Sequence, residues 1–233
     1  MTTQLPVLVL LPGMDGTGDL FAPLIRALGS RFETIVVRYP LDEPLIYPEL
    51  LTIARAALPA GRDFVLVAES FSGPIGIALA SEPLPGLRGL VLCSTFARTP
   101  RPGIARFLRN VDVIPMNATL IRAGLAVMLG AAADGKLRTH VARTVRRVPH
   151  EVLRARMRAV LEVDASDLLA LVRAPILYLQ ASRDLAVPAS AAAHIRTIKP
   201  DAQLVRIKGP HFLMQVRPDA VAAEIARFAT AVV

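Results

Sequence analysis

The chain has 233 residues, of which 53% are apolar and 20% charged, with a formal net charge of +8. That balance supports a sizeable buried core and excludes a disordered chain. A single cysteine, Cys93, excludes an internal disulfide and any multi-cysteine metal site.

In chain order, short apolar runs alternate with helical patterns. Residues 5–11, 34–38, 64–68, 89–93, 176–180 and 204–207 are continuous apolar or β-branched runs bounded by Pro, Gly or charge. Runs of this kind suit strands buried on both faces of a parallel sheet. Helical patterns fall between them at 20–28, 48–58, 72–80, 189–197 and 218–231. The alternation predicts an α/β fold: a mostly parallel sheet of about six strands with helices on both faces and right-handed crossovers.

The alternation breaks once. Between residues 94 and 175 no strand signal occurs, and helices are expected at about 102–110, 117–129, 136–147 and 150–162. The chain thus divides into a core, 1–97 and 170–233, and a helical cap insertion, 98–169. An insertion placed after a strand's carboxyl end is expected to cover a crevice there.

The charge is confined to that insertion. From Arg98 to Val160 there are 13 Lys or Arg against three acids, whereas the remainder is slightly acidic. Only three lysines occur in the whole chain and no nucleic-acid motif accompanies the arginines, so no nucleic-acid partner is expected. The longest uncharged apolar stretch near the middle, 123–133, is too short to span a bilayer, where about 20 residues are needed. The apolar start carries no Lys or Arg ahead of its run and stops at Pro12-Gly13, so it reads as a strand of a cytoplasmic protein.

Four features carry chemistry. Ser70 lies where FVLVAES passes into FSGPIGIALA, a sharp strand-to-helix turn of the kind that presents a nucleophile. The flanks, Ala68 and Ser72, are small but depart from G-x-S-x-G, and Ser70 also suits a helix N-cap. After the first strand, PGMDGTG forms a Gly-rich loop whose Met14 N–H, with the Phe71 N–H, could serve as an oxyanion hole. Its glycines do not follow G-x-G-x-x-G, although Arg38 keeps a dinucleotide-phosphate site as an alternative.

His211 follows the last strand on a loop, where all carboxyl ends share one crevice, and is the expected base. His140, His150 and His194 fall in helical patterns and read as surface or packing residues. Asp184, on the loop after the fifth strand, is the expected partner of His211. Asp164 and Asp167 precede that strand and are expected at the opposite end of the sheet. The chain order Ser70, Asp184, His211 is that of a nucleophile-elbow hydrolase. Glu69 is expected to point away from Ser70 and to take no catalytic part.

With these residues in place, the sequence resembles the α/β-hydrolase superfamily over nearly its whole length. LPGMDGTG resembles the oxyanion loop, AESFSG the nucleophile elbow, ASRDLAVP the acid loop and GPHFLMQVRP the histidine loop. The resemblance implies a serine hydrolase cleaving carboxylic esters through a Ser70–His211–Asp184 triad and an acyl-enzyme, without cofactor or metal. Phe21, Leu185 and Phe212 stand beside these groups and are expected to bind substrate, a small-molecule ester. The cap also resembles that of biotin-pathway esterases acting on pimeloyl esters of an acyl-carrier protein, and arginines 143, 146, 147, 154, 156 and 158 could dock so acidic a partner. Acyl transfer to an alcohol and a non-catalytic ligand receptor are further roles of the same fold.

Overall fold

The computed structural model describes residues 5–107 and 118–233. Six strands form one parallel sheet: β1 (Val7–Leu11), β2 (Thr34–Val36), β3 (Phe64–Glu69), β4 (Leu87–Cys93), β5 (Ile176–Ala181) and β6 (Gln203–Ile207). Their order across the sheet is β2-β1-β3-β4-β5-β6, with every neighbouring pair parallel. All carboxyl ends therefore share one edge. The order reverses between β1 and β3, and open sheets place their crevice at such a point.

Strand side chains alternate between two cores. Val7, Val9 and Leu11 face one cluster, which includes residues of α2 (Tyr47–Ala56), α3 (Gly73–Ala80), α8 (Ser166–Leu171) and α9 (Ala189–Ile198). Leu8 and Leu10 face the other, built with α1 (Ala22–Leu28), α10 (Leu213–Val216) and α11 (Pro218–Ala231). Central strands β1 and β3 are buried at every position, which explains their unbroken apolar runs. Edge strand β6 is largely exposed, and only its last residue, Ile207, is buried. Cys93, at the end of β4, is 0% exposed.

Between β4 and β5 lie α4 (Pro102–Phe107), α5 (Ala118–Leu129), α6 (Gly135–Arg146), α7 (His150–Glu162) and α8. Residues 108–110 and 117 of the expected helices lie outside the described residues. Helices α5, α6 and α7 pack on one another through a third cluster that includes Leu125, Leu129, Val141, Val145, Val152 and Leu153. Two short helices, α8 and α10, were not expected from the pattern; each is too brief to show a helical period. Among the described residues no helix is long and apolar enough to cross a membrane.

Candidate active site

The chain leaves β3 at Glu69 and turns abruptly, with Ser70 at φ 48°. A side chain in this left-handed region costs roughly 1–2 kcal/mol, so the surroundings must hold it. They do so from the next two strands. Thr95 Oγ1 donates to the Ser70 carbonyl, and Tyr178 Oη donates to the Thr95 carbonyl at 2.5 Å. The helix start then passes so close to the chain leaving β4 that a Cβ on Gly73 would lie 1.9 Å from Thr95 Oγ1. The N-cap of α3 is Ser72, which makes no side-chain capping bond.

Ser70 Oγ is turned instead to His211 Nε2, at 2.9 Å. His211 Nδ1 in turn meets Asp184 Oδ2 at 2.8 Å and Oδ1 at 3.0 Å. Asp184 is fixed from behind: its Oδ1 accepts from the N–H groups of Ala186 and Val187 at 2.9 and 2.8 Å. The loops carrying the pair are tied where they leave the sheet, with Ser182 N–H donating to the Ile207 carbonyl and Arg183 N–H to the Gly209 carbonyl, each at 2.9 Å. Both side chains are almost wholly buried. The structure thus brings Ser70, His211 and Asp184 into one hydrogen-bonded chain.

His194 lies elsewhere, bonded to Ser166 Oγ at 2.9 Å. Asp164 is not at the opposite end of the sheet as expected. Its segment pairs with the chain leaving β4, through Ala165 N–H to the Ala97 carbonyl at 2.8 Å and an antiparallel bridge between Arg98 and Asp164. The unexpected α8 accounts for the error, since it carries the chain back down to β5. Asp164 Oδ1 accepts from Ser166 N–H at 2.9 Å and makes no bond to His211.

The loop after β1 closes a turn in which Gly16 N–H donates to the Gly13 carbonyl at 3.0 Å. Asp15 is buried within it and accepts from Thr17 N–H at 3.0 Å and Thr17 Oγ1 at 2.5 Å. Burial pushes the Asp15 carboxyl up from the ordinary range, against the opposing pull of the Thr17 bonds. Glu69 is also buried, and burial raises it to about 7, opposed by the Gln215 Nε2 bond at 2.9 Å. Glu69 and Asp15 are thus two buried carboxyls that line the same cavity as Ser70. Arg38, the candidate phosphate ligand, is engaged by the Thr17 carbonyl and by Asp19 at 2.7 Å.

That cavity holds about 460 Å³. Ser70, His211, Met14 and Phe71 open onto it from the sheet edge, and Leu120, Ile121, Gly124, Leu125 and Met128 of α5 face them. Phe212 lines it and meets the His211 ring edge-on at 5.9 Å. Two expected substrate residues do not line it. Phe21 is 1% exposed in the core beneath, because the 3₁₀ turn Asp19–Phe21 directs its neighbour Leu20 into the cavity. Leu185 is 61% exposed, while the following Ala186 and Val187 line the wall.

The arginines of the helical segment do not form a single exposed face. Pro149 separates α6 from α7, Arg147 pairs with Asp19 at 2.6 Å, and Arg156 is 0% exposed. Arg156 Nη1 donates to the Met14 and Asp15 carbonyls at 2.9 and 3.1 Å, and Nη2 to the Pro40 carbonyl at 2.8 Å. Sequence reasoning counted it as surface charge. Its signal was its position on the apolar stripe Val152, Leu153, Arg156, Ala159, Val160. Among the described residues, no group of three or more His, Cys, Asp or Glu is placed to hold a metal ion.

Comparison with known proteins agrees with this architecture. A protein of Caulobacter sp. (strain K31) named "Putative carbamate hydrolase RutD" is 26% identical over 94% of this chain and 89% of its own length. Phytyl ester synthase 1, chloroplastic, of Arabidopsis thaliana is 27% identical over 47% of this chain and 16% of its own length. The crystal structure of the enol-lactonase from Burkholderia xenovorans LB400 superposes with a TM-score of 0.80 at 18% identity, covering 97% of this chain and 92% of that one. A family model described as the alpha/beta hydrolase family matches residues 8–224, nearly the whole sheet and every loop that builds the site. The chain belongs to the alpha/beta hydrolase family.

Proposed function

We propose that this chain is a serine hydrolase that cleaves carboxylic esters through an acyl-enzyme on Ser70. The observation that carries the reading is the bonded series Ser70 Oγ, His211 Nε2, Nδ1 and Asp184 Oδ2, held at a strained turn that opens onto a cavity of about 460 Å³. His211 Nε2 takes the proton of Ser70 Oγ as the oxygen attacks the ester carbonyl carbon. The carbonyl π electrons move to oxygen, which the N–H groups of Met14 and Phe71 receive. The tetrahedral centre collapses, the alkoxide leaves with the proton from His211 Nε2, and the acyl group remains on Ser70. Water then loses a proton to His211 and attacks the acyl carbon; as the bond from that carbon to Ser70 Oγ breaks, His211 Nε2 returns the proton to Ser70 Oγ and the acid is released. Asp184 holds the Nδ1–H tautomer and offsets the charge on the imidazolium.

The substrate side chain is neutral and apolar. Most cavity-lining side chains are aliphatic or aromatic, and its buried ionisable groups besides His211 are the carboxyls Asp15 and Glu69. An anionic substrate would face these carboxyls with no buried cation in the cavity lining, because the buried Arg156 lies outside it and is taken by backbone carbonyls. Arg101 stands at the rim with its guanidinium bonded to the carbonyls of Leu185 and Ala186.

Acyl transfer to an alcohol is the second reading, favoured by the partial match to phytyl ester synthase 1. The test is a fluorophosphonate label beside chromogenic esters of rising acyl length, with products analysed with and without an acceptor alcohol. Labelling at Ser70 and turnover to free acid are expected. Labelling without turnover would indicate a receptor, and no labelling would remove the serine reading.

A further inference from the structure

The buried Arg156 serves the site without touching it. Its two Nη atoms bond three backbone carbonyls, and its guanidinium lies 5.8 Å from the centroid of the Tyr39 ring. Tyr39 Oη bonds Ser72 Oγ at 2.8 Å, and Ser72 Oγ donates to the Pro12 carbonyl. Burying a guanidinium is unfavourable unless bonds replace its water, so this charge is committed to the loop it holds. The loop is shaped around it: Gly16 has φ 71°, and a Cβ there would lie 2.5 Å from Arg156 Nη1.

The consequence concerns one N–H group. A trans peptide points its N–H opposite to its carbonyl. The Gly13 carbonyl is taken by Gly16 N–H, so the Met14 N–H of the same peptide is turned away from the loop interior. Arg156 fixes the next two carbonyls, Met14 and Asp15; the Asp15 carbonyl shares its peptide with the Gly16 N–H, which in turn holds the Gly13 carbonyl and so the plane that carries the Met14 N–H.

We propose that Arg156, from helix α7, is a positioning residue for the oxyanion hole, clamping the Met14 and Asp15 carbonyls so that the Met14 N–H stays aimed into the cavity. This rests on the serine-hydrolase reading above. The helical segment then does more than cover the crevice, because it sets the geometry of the loop opposite the nucleophile.

The test compares Arg156→Met and Arg156→Lys with the unaltered protein. Rates are counted per site labelled to completion by fluorophosphonate, so unfolded protein does not enter. Arg156→Met is expected to lower kcat about 100-fold, the scale of one lost oxyanion donor, with KM changed less than about threefold. Affinity for a trifluoromethyl ketone, which forms the charged tetrahedral adduct, should fall in parallel. Arg156→Lys keeps the charge and one donor head, and should recover part of both losses. A purely structural role would lower the melting temperature while leaving kcat and ketone affinity per labelled site unchanged, and that result overturns the proposal. Should the unaltered protein fail to label at Ser70, the serine-hydrolase reading itself fails; labelling and turnover with an indifferent Arg156→Met removes only this inference.

Discussion

Glu69 Oε1 accepts a 2.9 Å hydrogen bond from Gln215 Nε2, joining the residue before the turn serine to the short helix behind the histidine loop. Burial raises Glu69 from 4.5 to about 7. Its folded pKa thus lies above its unfolded one, and between about 4.5 and 7 the folded state binds more protons than the unfolded state. Stability from this group is full below pH 4.5 and is lost as pH rises through 7, by up to about 3 kcal/mol. Glu69→Gln, which removes the ionisation and keeps the shape, should melt above the unaltered protein at pH 8 and level with it near pH 4. Calorimetry across that range checks it; a constant difference at all pH values would refute it.

Ser70 holds a backbone conformation that glycine adopts freely. Ser70→Gly and Ser70→Ala should both lose ester hydrolysis by several orders of magnitude. They should differ in stability, with Ser70→Gly about 1 kcal/mol the more stable because only alanine retains the φ strain. Equal denaturation midpoints would show that the turn is not strained.

Asp184 Oδ1 accepts from two backbone N–H groups, and Oδ2 makes the shorter of the two contacts with His211 Nδ1, 2.8 against 3.0 Å. In Asp184→Asn the carbonyl oxygen keeps those N–H bonds and the amide nitrogen takes the Oδ2 position. His211 Nδ1 must then accept, placing the proton on Nε2, where it blocks removal of the Ser70 proton. Asp184→Asn is expected to lower kcat about 10⁴-fold, and the double variant with Ser70→Ala to add little. Single and double variants compared by kcat/KM decide it, since additive losses would separate the three residues.

Gly124 lies on the cavity face of α5, between Ile121 and Met128, and a Cβ there would meet no atom within 4 Å. Gly124→Leu should therefore fold, with helix propensity favouring the change by somewhat under 1 kcal/mol. It should fill the far side of the cavity and shift preference toward short acyl chains by about tenfold in the kcat/KM ratio, the scale of one or two methylenes. An unaltered chain-length profile would place the acyl group elsewhere.

The strands were legible because parallel strands buried on both faces carry unbroken apolar runs, as VLVLL and FVLVAE do. Ser70, Asp184 and His211 were legible for a different reason: each follows the carboxyl end of a strand, and all such ends meet at one edge. Contacts settled by rotation about one short turn were not. Phe21 and Leu20 differ by a single step of a 3₁₀ turn, yet one enters the core and the other the cavity. Asp164 was misplaced because a six-residue helix shows less than two turns of pattern. Arg156 was hidden by counting charges without asking which face of α7 they occupy.

Cys93, fully enclosed at the end of β4 behind the turn serine, is the chain's one sulfhydryl. Burial also pushes its thiol well above the ordinary range, so the folded protein offers no thiolate to a disulfide reagent. Modification must wait for the sheet to open around β4. The molecule thereby carries an internal clock: the rate at which an aromatic disulfide consumes this sulfur, at saturating reagent, is the opening rate of the central sheet itself, measurable without any substrate.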